Sequence, residues 1–184
     1  MRILGVDPGS RFLGYAVISD RNILTHGTLI EKNGEMSDRL FAIYTGLKKI
    51  IQEFNPEVLA VEKIFFAKNA LSALKLGEIR GVILLAGAEA GIPIFEYAPN
   101  EIKKSITGHG HADKQTVSHW IKVFTGETEF KTNDASDALA IALCHASHSV
   151  SASGGNKIAP KKGRSGGMAN ALKHRIKFDG SDKI

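Results

Sequence analysis

The sequence of 184 residues contains a single cysteine, Cys144, and no long uninterrupted apolar run. One cysteine excludes an intramolecular disulfide and a zinc site built from several thiolates, so we expect Cys144 to be a small buried apolar residue. The lack of roughly 20 consecutive apolar residues argues against a membrane-spanning helix. The first residues also lack a signal-peptide pattern, and we therefore expect an unexported, soluble and cytoplasmic protein.

An excess of acidic residues is absent too, because the net charge is +5. Residues 1–150 hold 16 Lys and Arg against 17 Asp and Glu, whereas residues 151–184 hold 8 against 2. The sequence thus predicts one globular domain over residues 1–150 and a basic, disordered tail over residues 151–184. Such a tail favours a polyanionic partner, although a basic end can also simply increase solubility.

Hydrophobic periodicity predicts ten elements of secondary structure. Short apolar runs that end at turn residues predict strands over residues 3–6, 12–18, 23–30, 58–61 and 92–97. Apolar residues that recur every three or four positions predict helices over residues 37–54, 69–90, 99–107, 112–124 and 134–148. Three consecutive strands followed by alternating helices and strands predict an α/β fold, with a mixed five-stranded sheet flanked by helices.

Two acidic residues directly follow buried strands of this predicted sheet. Asp7 ends the first strand in the sequence VDPG, and Glu62 ends the fourth in VEK. If the two strands are parallel neighbours, roughly 4.8 Å apart, both carboxylates face the crevice at the carboxyl ends of the strands. Exposed loop acids would give the same pattern, and the sequence leaves both interpretations open.

A second pair of acids, Asp134 and Asp137, stands three residues apart in the first turn of the last predicted helix. This spacing places both carboxylates on one helix face, although acids in a first turn also stabilise the helix dipole, and Thr132 or Asn133 would be an ordinary N-cap. Four carboxylates that share one crevice repel one another and require a cation. Oxygen ligands select hard divalent ions, and a pair of such ions can hydrolyse a phosphodiester.

The residues that carry these acids resemble the RuvC family of Holliday junction resolvases, in the ribonuclease H-like superfamily. The resemblance covers nearly all of residues 1–150. It is carried by ILGVDPGSRFLGYAVI at residues 3–18, LAVEKIFFAKNALSALKLGEIRGV at 59–82, FEYAPNEIKKSITGHGHADKQTV at 95–117 and NDASDALAIALCH at 133–145. It implies a ribonuclease H-like fold and an endonuclease that resolves four-way DNA junctions in recombination and repair.

The resemblance also implies a role for particular residues. Asp7, Glu62, Asp134 and Asp137 would bind two Mg²⁺ ions, with Mn²⁺ as a substitute. Phe65 would stack on bases near the cut, and Lys103 and Lys114 would lie near the scissile phosphates, with Lys114 counted among the catalytic residues. The family further implies a homodimer formed largely through the helix at residues 69–90, and a branch-migration complex of the RuvA and RuvB type as partner.

Other functions fit parts of the sequence. A ribonuclease H-like nuclease that acts on RNA or simple duplexes, or an inactive junction-binding module, would share much of this pattern. Actin-like and sugar-kinase ATPases also begin with a strand and an Asp-x-Gly turn, but they need about twice this length, and the chain lacks a G-x-x-x-x-G-K-[ST] loop. His109 and His111 are expected to be exposed loop residues, although a metal or base role stays open.

Overall fold

A computed structural model describes residues 1–9, 12–30, 35–63, 70–126, 130 and 132–154. The five strands are β1 (Arg2–Pro8), β2 (Phe12–Ser19), β3 (Asn22–Ile30), β4 (Val58–Glu62) and β5 (Ile94–Tyr97). The five helices are α1 (Met36–Phe54), α2 (Ala70–Glu89), α3 (Pro99–Thr107), α4 (Lys114–Thr125) and α5 (Asn133–Gly154). None of these helices is long and apolar enough to cross a membrane.

The strands form one mixed sheet in the order β3-β2-β1-β4-β5. The first three strands pair antiparallel, whereas β4 pairs parallel to β1 and β5 pairs parallel to β4. This arrangement confirms the five-stranded mixed sheet predicted from the sequence. Because β1 and β4 are parallel neighbours, the condition for Asp7 and Glu62 to face one crevice is met.

Alternation along the strands divides the core into two layers. In β1, Leu4 and Val6 pack against α1 and α2 on one face of the sheet, while Ile3 packs against α3, α4 and α5 on the other. Successive strand residues point to opposite faces, so Asp7 belongs to the same face as Ile3. The same alternation in β4 assigns Glu62 to the face of Ala60, which also lies in the α3–α5 layer.

The limits of several elements differ from the predicted ones for identifiable reasons. Strand β5 starts at Ile94 rather than at residue 92, and Pro93, which has no N–H to donate, accepts a hydrogen bond from the Leu59 N–H through its carbonyl at 2.9 Å. Helix α4 starts at Lys114 rather than at residue 112 because the Asp113 side chain caps it, accepting from the Thr116 N–H at 2.7 Å.

The largest difference concerns the end of α5, which continues to Gly154 instead of ending near residue 148. Residues 151–154, which their composition assigns to the basic tail, continue this helix. No residue between His148 and Gly154 breaks a helix, and the first glycines, Gly154 and Gly155, are where a helix commonly ends. The predicted disorder of residues 155–184 lies outside the described residues.

Helix α5 crosses the sheet at two glycines inside strands. A Cβ added to Gly5 would lie 2.2 Å from the Ala138 carbonyl oxygen, and one added to Gly14 would lie 2.0 Å from the Asp134 carbonyl oxygen. Both distances are far below van der Waals contact, so any side chain at either position would displace the helix backbone. The absence of side chains at these two positions therefore sets how closely α5 approaches β1 and β2.

We expect Gly5→Ala and Gly14→Ala each to lower the free energy of unfolding by about 1 to 3 kcal/mol or more, because the added methyl group meets helix backbone that cannot rotate away. Urea unfolding measures the change. Gly27→Ala is a matched strand control, since its Cβ would meet only the outer end of the Tyr15 side chain. If Gly5→Ala and Gly14→Ala were as stable as the control Gly27→Ala, helix α5 would be free to move away from the sheet.

Candidate active site

Four carboxylates converge where the carboxyl ends of β1 and β4 meet the start of α5. Asp7 lies near the end of β1, Glu62 ends β4, and Asp134 and Asp137 lie in the first two turns of α5. Val6 and Val61 are the last paired residues of β1 and β4, so Asp7 and Glu62 are the next residues along the two strands. The fold thus brings together three segments that are far apart in the sequence.

A crevice of about 220 Å³ opens at this point. Its walls include the three acids Asp7, Glu62 and Asp137 together with the two lysines Lys103 and Lys114. Asp134 does not line this crevice; an added Cβ at Gly9 would lie 3.8 Å from its carboxylate oxygen Oδ1. The structure therefore gathers five of the residues singled out in the sequence around one opening, with Asp134 beside it.

Asp7 is the most strongly perturbed acid of this group. Burial, followed by the charges of Asp137, Glu62 and Asp134, raises the pKa of Asp7 from 3.8 to about 7, while Lys114 opposes the shift. Burial and the charge of Asp137 also raise the pKa of Glu62, and Lys103 opposes that shift. Burial and neighbouring carboxylates thus make both Asp7 and Glu62 harder to ionise, which is typical of acids that share a poorly solvated site.

The start of α5 is fixed by a cap that does not use either aspartate. The Thr132 hydroxyl accepts a hydrogen bond from the Ala135 N–H at 3.2 Å, so Thr132 serves as the N-cap. The backbone of Asp134 lies against Gly14, which pairs with Asp7 across β1 and β2. The close contact at Gly14 therefore positions the first turn of α5 directly beside Asp7.

Lys114 lies within hydrogen-bonding distance of this acidic group. Its ammonium Nζ donates to Asp137 Oδ2 at 2.8 Å. This hydrogen bond raises the pKa of Lys114, and the charges of Asp137, Asp7 and Asp134 add to the effect. The ammonium group of Lys114 is thus held against the acids, and a second cation, Lys103, lines the same crevice and lowers the pKa of Glu62 through its charge.

The donor set suits a hard divalent cation, because it consists of carboxylate oxygens whose mutual repulsion a cation would relieve. Within the described ranges, however, no three side chains of His, Cys, Asp or Glu lie in an arrangement that could hold a metal ion. The hydrogen bond from Lys114 occupies one oxygen of Asp137. The chemistry of the residues nevertheless fits a divalent metal ion.

Two further residues named from the sequence, His109 and His111, do not line the crevice. Phe65 lies outside the described residues. His109 and His111 are exposed in the loop between α3 and α4, as expected for solvated histidines. The backbone N–H of His109 donates to the Thr107 hydroxyl at 3.1 Å, which ties this loop to the end of α3.

Sequence reasoning missed two features that hold the site. One is the pair Gly5 and Gly14, for which glycine inside an apolar strand was the available signal. The other is a buried hydrogen bond of 2.7 Å between Tyr97 Oη and His145 Nδ1. Tyr97 pairs with Glu62 across β4 and β5, so this bond joins the strand beside Glu62 to helix α5. No local pattern in the sequence pointed to it.

Comparison with known proteins agrees with this geometry. Residues 3–145 match the family described as Crossover junction endodeoxyribonuclease RuvC. The chain belongs to the RuvC family. A RuvC protein of Geotalea uraniireducens is 47% identical over 169 residues, covering 89% of this chain and 98% of that relative. A second, from Bartonella henselae, is 44% identical over 158 residues, covering 83% of this chain and 94% of the relative.

A solved structure of Thermus thermophilus RuvC in complex with a Holliday junction substrate superposes with a TM-score of 0.77. That protein is 32% identical, and the match covers 81% of this chain and 94% of the other. The match confirms the ribonuclease H-like fold expected from the sequence. Membership of the family also implies dependence on a divalent metal.

The raised pKa of Asp7 predicts how stability depends on pH in the absence of metal. The Asp7 carboxyl group holds its proton more tightly in the folded state than in the unfolded state. The stability that the protonated form of Asp7 contributes is therefore complete below pH 4 and is lost as the pH rises to about 7. We expect Asp7→Asn, tested in chelator, to be more stable than the wild type at pH 8 by at most about 4 kcal/mol. The difference should disappear near pH 4.

Urea unfolding at several pH values measures this dependence. Asp38→Asn, on an exposed position in the first turn of α1, is the matched control and should change stability by no more than about 0.5 kcal/mol at any pH. An Asp7→Asn variant that is less stable than the wild type at pH 8 would contradict the assigned burial of the Asp7 charge.

Proposed function

We propose that this chain resolves four-way DNA junctions by metal-dependent hydrolysis of a phosphodiester in each of two opposite strands. The observation that carries the proposal is the crevice that joins Asp7, Glu62 and Asp137 with Lys103 and Lys114. Carboxylates beside cationic side chains form a site for metal ions together with a phosphate. The RuvC relative solved with a Holliday junction substrate supplies the substrate class.

The four acids Asp7, Glu62, Asp134 and Asp137 would hold two Mg²⁺ ions, or Mn²⁺ in their place. Bound there, the ions would supply an activated water and charge stabilisation at the phosphate. Lys103 and Lys114 would contact the scissile phosphate from opposite walls of the crevice. Lys114 is already fixed beside Asp137 by its hydrogen bond, so it would meet the phosphate with little loss of side-chain freedom.

Replacing each acid by its amide tests these assignments. We expect Asp7→Asn, Glu62→Gln, Asp134→Asn and Asp137→Asn to cut a synthetic four-way junction at least about 100-fold more slowly, because each loses a charged metal ligand while keeping its shape. Junction binding should persist, since a carboxylate that faces a phosphate is repulsive in the absence of metal. Cleavage by the wild type should require Mg²⁺ or Mn²⁺ and stop with a chelator.

Linear duplex and RNA–DNA hybrid tested beside the junction separate this function from a less selective ribonuclease H-like nuclease. Asp38→Asn and Glu53→Gln, both at exposed positions on α1, are matched controls and should cut at the wild-type rate. Cleavage of the junction by Asp7→Asn or Glu62→Gln at that rate would disprove the two-metal assignment. Junction binding without any cleavage by the wild type would indicate an inactive binding module.

We further propose a two-fold dimer formed through α2, because paired nicks in a nearly symmetric substrate call for two sites related by symmetry. One face of α2 packs on the sheet through Ile79 and Ile83. The opposite face exposes Leu71, Leu74 and Leu85 at 63, 61 and 58%. Added Cβ atoms at Gly77 and Gly81 on this helix would meet nothing within 4 Å, so a second helix can approach closely there.

We expect Leu74→Glu to convert the dimer to monomers at micromolar concentration and to abolish paired nicking, because it places a charge in an apolar contact. Sedimentation velocity measures the oligomeric state. Phe41→Glu is the matched control, since Phe41 is an apolar residue of α1 that is 69% exposed. A wild type that sediments as a monomer, or a Leu74→Glu variant that still dimerises, would disprove this interface.

Three assignments do not rest on the described residues: those of Phe65 and of the partner complex follow the family resemblance, and that of the tail follows its charge. Phe65 would stack on bases near the cut, the basic tail at residues 151–184 would contact the junction arms, and a complex of the RuvA and RuvB type would act with this protein. Phe65 follows Glu62 by three residues, which is the reason to expect an aromatic contact close to the metal ions. These three assignments stay predictions.

A further inference from the structure

A second cavity, larger than the acid crevice, opens between α4 and α5. Its volume is about 470 Å³, against about 220 Å³ for the acid crevice. The two share Lys114, Val117 and Asp137 in their walls, so they adjoin at this point. The other described residues of the wall are polar side chains of α4 and α5: Gln115, Ser118, His119, Lys122, Asn133 and Ser136.

The α4 side of this cavity is one stripe of the helix. Lys114, Ser118 and Lys122 follow one another at intervals of four residues, and Gln115 and His119 form the adjacent row at the same spacing. Side chains four residues apart lie on the same helix face, so the stripe presents ammonium, hydroxyl, amide and imidazole groups along one line. All of these groups can donate hydrogen bonds, which is the chemistry that recognises an anion.

Two lysines and one carboxylate belong to the described residues that line this cavity. The carboxylate, Asp137, already accepts a hydrogen bond from Lys114 at 2.8 Å. Among the described residues, Lys122 has no carboxylate within ion-pair distance. Its ammonium group therefore adds a positive charge at the end of the stripe remote from Lys114.

Lys122 is too far from the acids to contact the scissile phosphate itself. Eight residues of α-helix separate it from Lys114, a rise of about 12 Å along the helix axis. Phosphates of one DNA strand follow one another at about 3.4 Å along the duplex axis. A strand that lies along the stripe with one phosphate at Lys114 therefore places another phosphate, about three to four nucleotides away, at Lys122.

We propose that the cavity between α4 and α5 is a second phosphate subsite, in which Lys122, Ser118 and His119 bind a DNA backbone phosphate about three to four nucleotides from the cut. This assignment rests on the proposed junction-cleaving function, because it requires a DNA strand in the acid crevice. The contacts are made to the backbone, so they position the strand for cleavage without reading its sequence. A subsite of this kind fixes which phosphate reaches the acids.

The first test is the salt dependence of junction binding in chelator. Lys122→Gln should weaken binding about 3- to 10-fold and reduce the slope of log affinity against log salt by about 1, because one phosphate contact is lost. Lys122→Arg should restore both. Lys49→Gln, at an exposed position on α1 across the sheet, is the matched control and should change neither.

The second test locates the phosphate. Neutral methylphosphonate linkages are placed singly at each position up to about four nucleotides on either side of the cut, and binding is measured for the wild type and for Lys122→Gln. We expect one position at which the neutral linkage weakens junction binding by the wild type but does not weaken junction binding by Lys122→Gln. At the same position, the neutral linkage should still weaken junction binding by Ser118→Ala, but by less than it weakens binding by the wild type.

The outcomes separate this proposal from the function on which it rests. A wild type that neither binds nor cuts the junction would overturn the function, and the subsite with it. A wild type that binds and cuts normally, with an unchanged salt slope and an unchanged methylphosphonate pattern in Lys122→Gln, would overturn the subsite alone. A drop in melting temperature for Lys122→Gln that Lys122→Arg reverses, without any change in DNA binding, would assign Lys122 to the stability of the α4 terminus and also overturn the subsite.

Discussion

The close contact between α5 and the first two strands is the constraint on which the rest of the structure depends. Gly5 and Gly14 leave no side chain between the sheet and the helix, so the carbonyl oxygens of Ala138 and Asp134 lie where a Cβ would otherwise be. This contact places the first turn of α5 beside Asp7. Without it the acids of the helix and those of the strands would belong to separate surfaces, since a larger side chain would hold the helix away from the sheet.

The same contact creates an electrostatic cost. Asp7 loses most of its hydration and faces three other acids, which together raise its pKa to about 7. Functional sites commonly retain such unfavourable arrangements because the chemistry requires them. Two lysines reduce the cost, Lys114 through its hydrogen bond with Asp137 and Lys103 through its charge near Glu62. Both come from the α3–α4 segment, which makes that segment part of the site as well as part of the core.

The two faces of the sheet separate two roles. Helices α3, α4 and α5 cover the face on which Asp7 and Glu62 lie, and they provide the lysines and the polar cavity. Helices α1 and α2 cover the other face, and α2 keeps an apolar stripe exposed at Leu71, Leu74 and Leu85. Glu62 and the start of α2 are only eight residues apart in the chain, so the proposed dimer helix and an acid of the proposed catalytic site are joined by one short segment.

The sequence by itself determined the order and type of all ten elements, and it pointed to the acids at the ends of β1 and β4. These features are encoded locally, because strand alternation and helical spacing report which side chains are buried, and an acid after a buried strand is visible in a few residues. It also indicated the family, through four segments that contain all four acids. The continuation of α5 to Gly154 did not follow from the sequence, because the composition changes at residue 151 to one rich in Ser, Gly and Lys, which is typical of a tail. No helix-breaking residue occurs between His148 and Gly154.

Only the tertiary structure decided which side chains face each other. The hydrogen bond between Lys114 and Asp137 joins residues 23 positions apart, and that between Tyr97 and His145 joins residues 48 apart. The position of Asp134 beside the acid crevice rather than in its wall, and the cavity between α4 and α5, likewise depend on how separate helices pack. Distances between elements are set by the fit of whole surfaces, including two glycines that contribute no side chain at all, and no local spacing in the sequence encodes that fit.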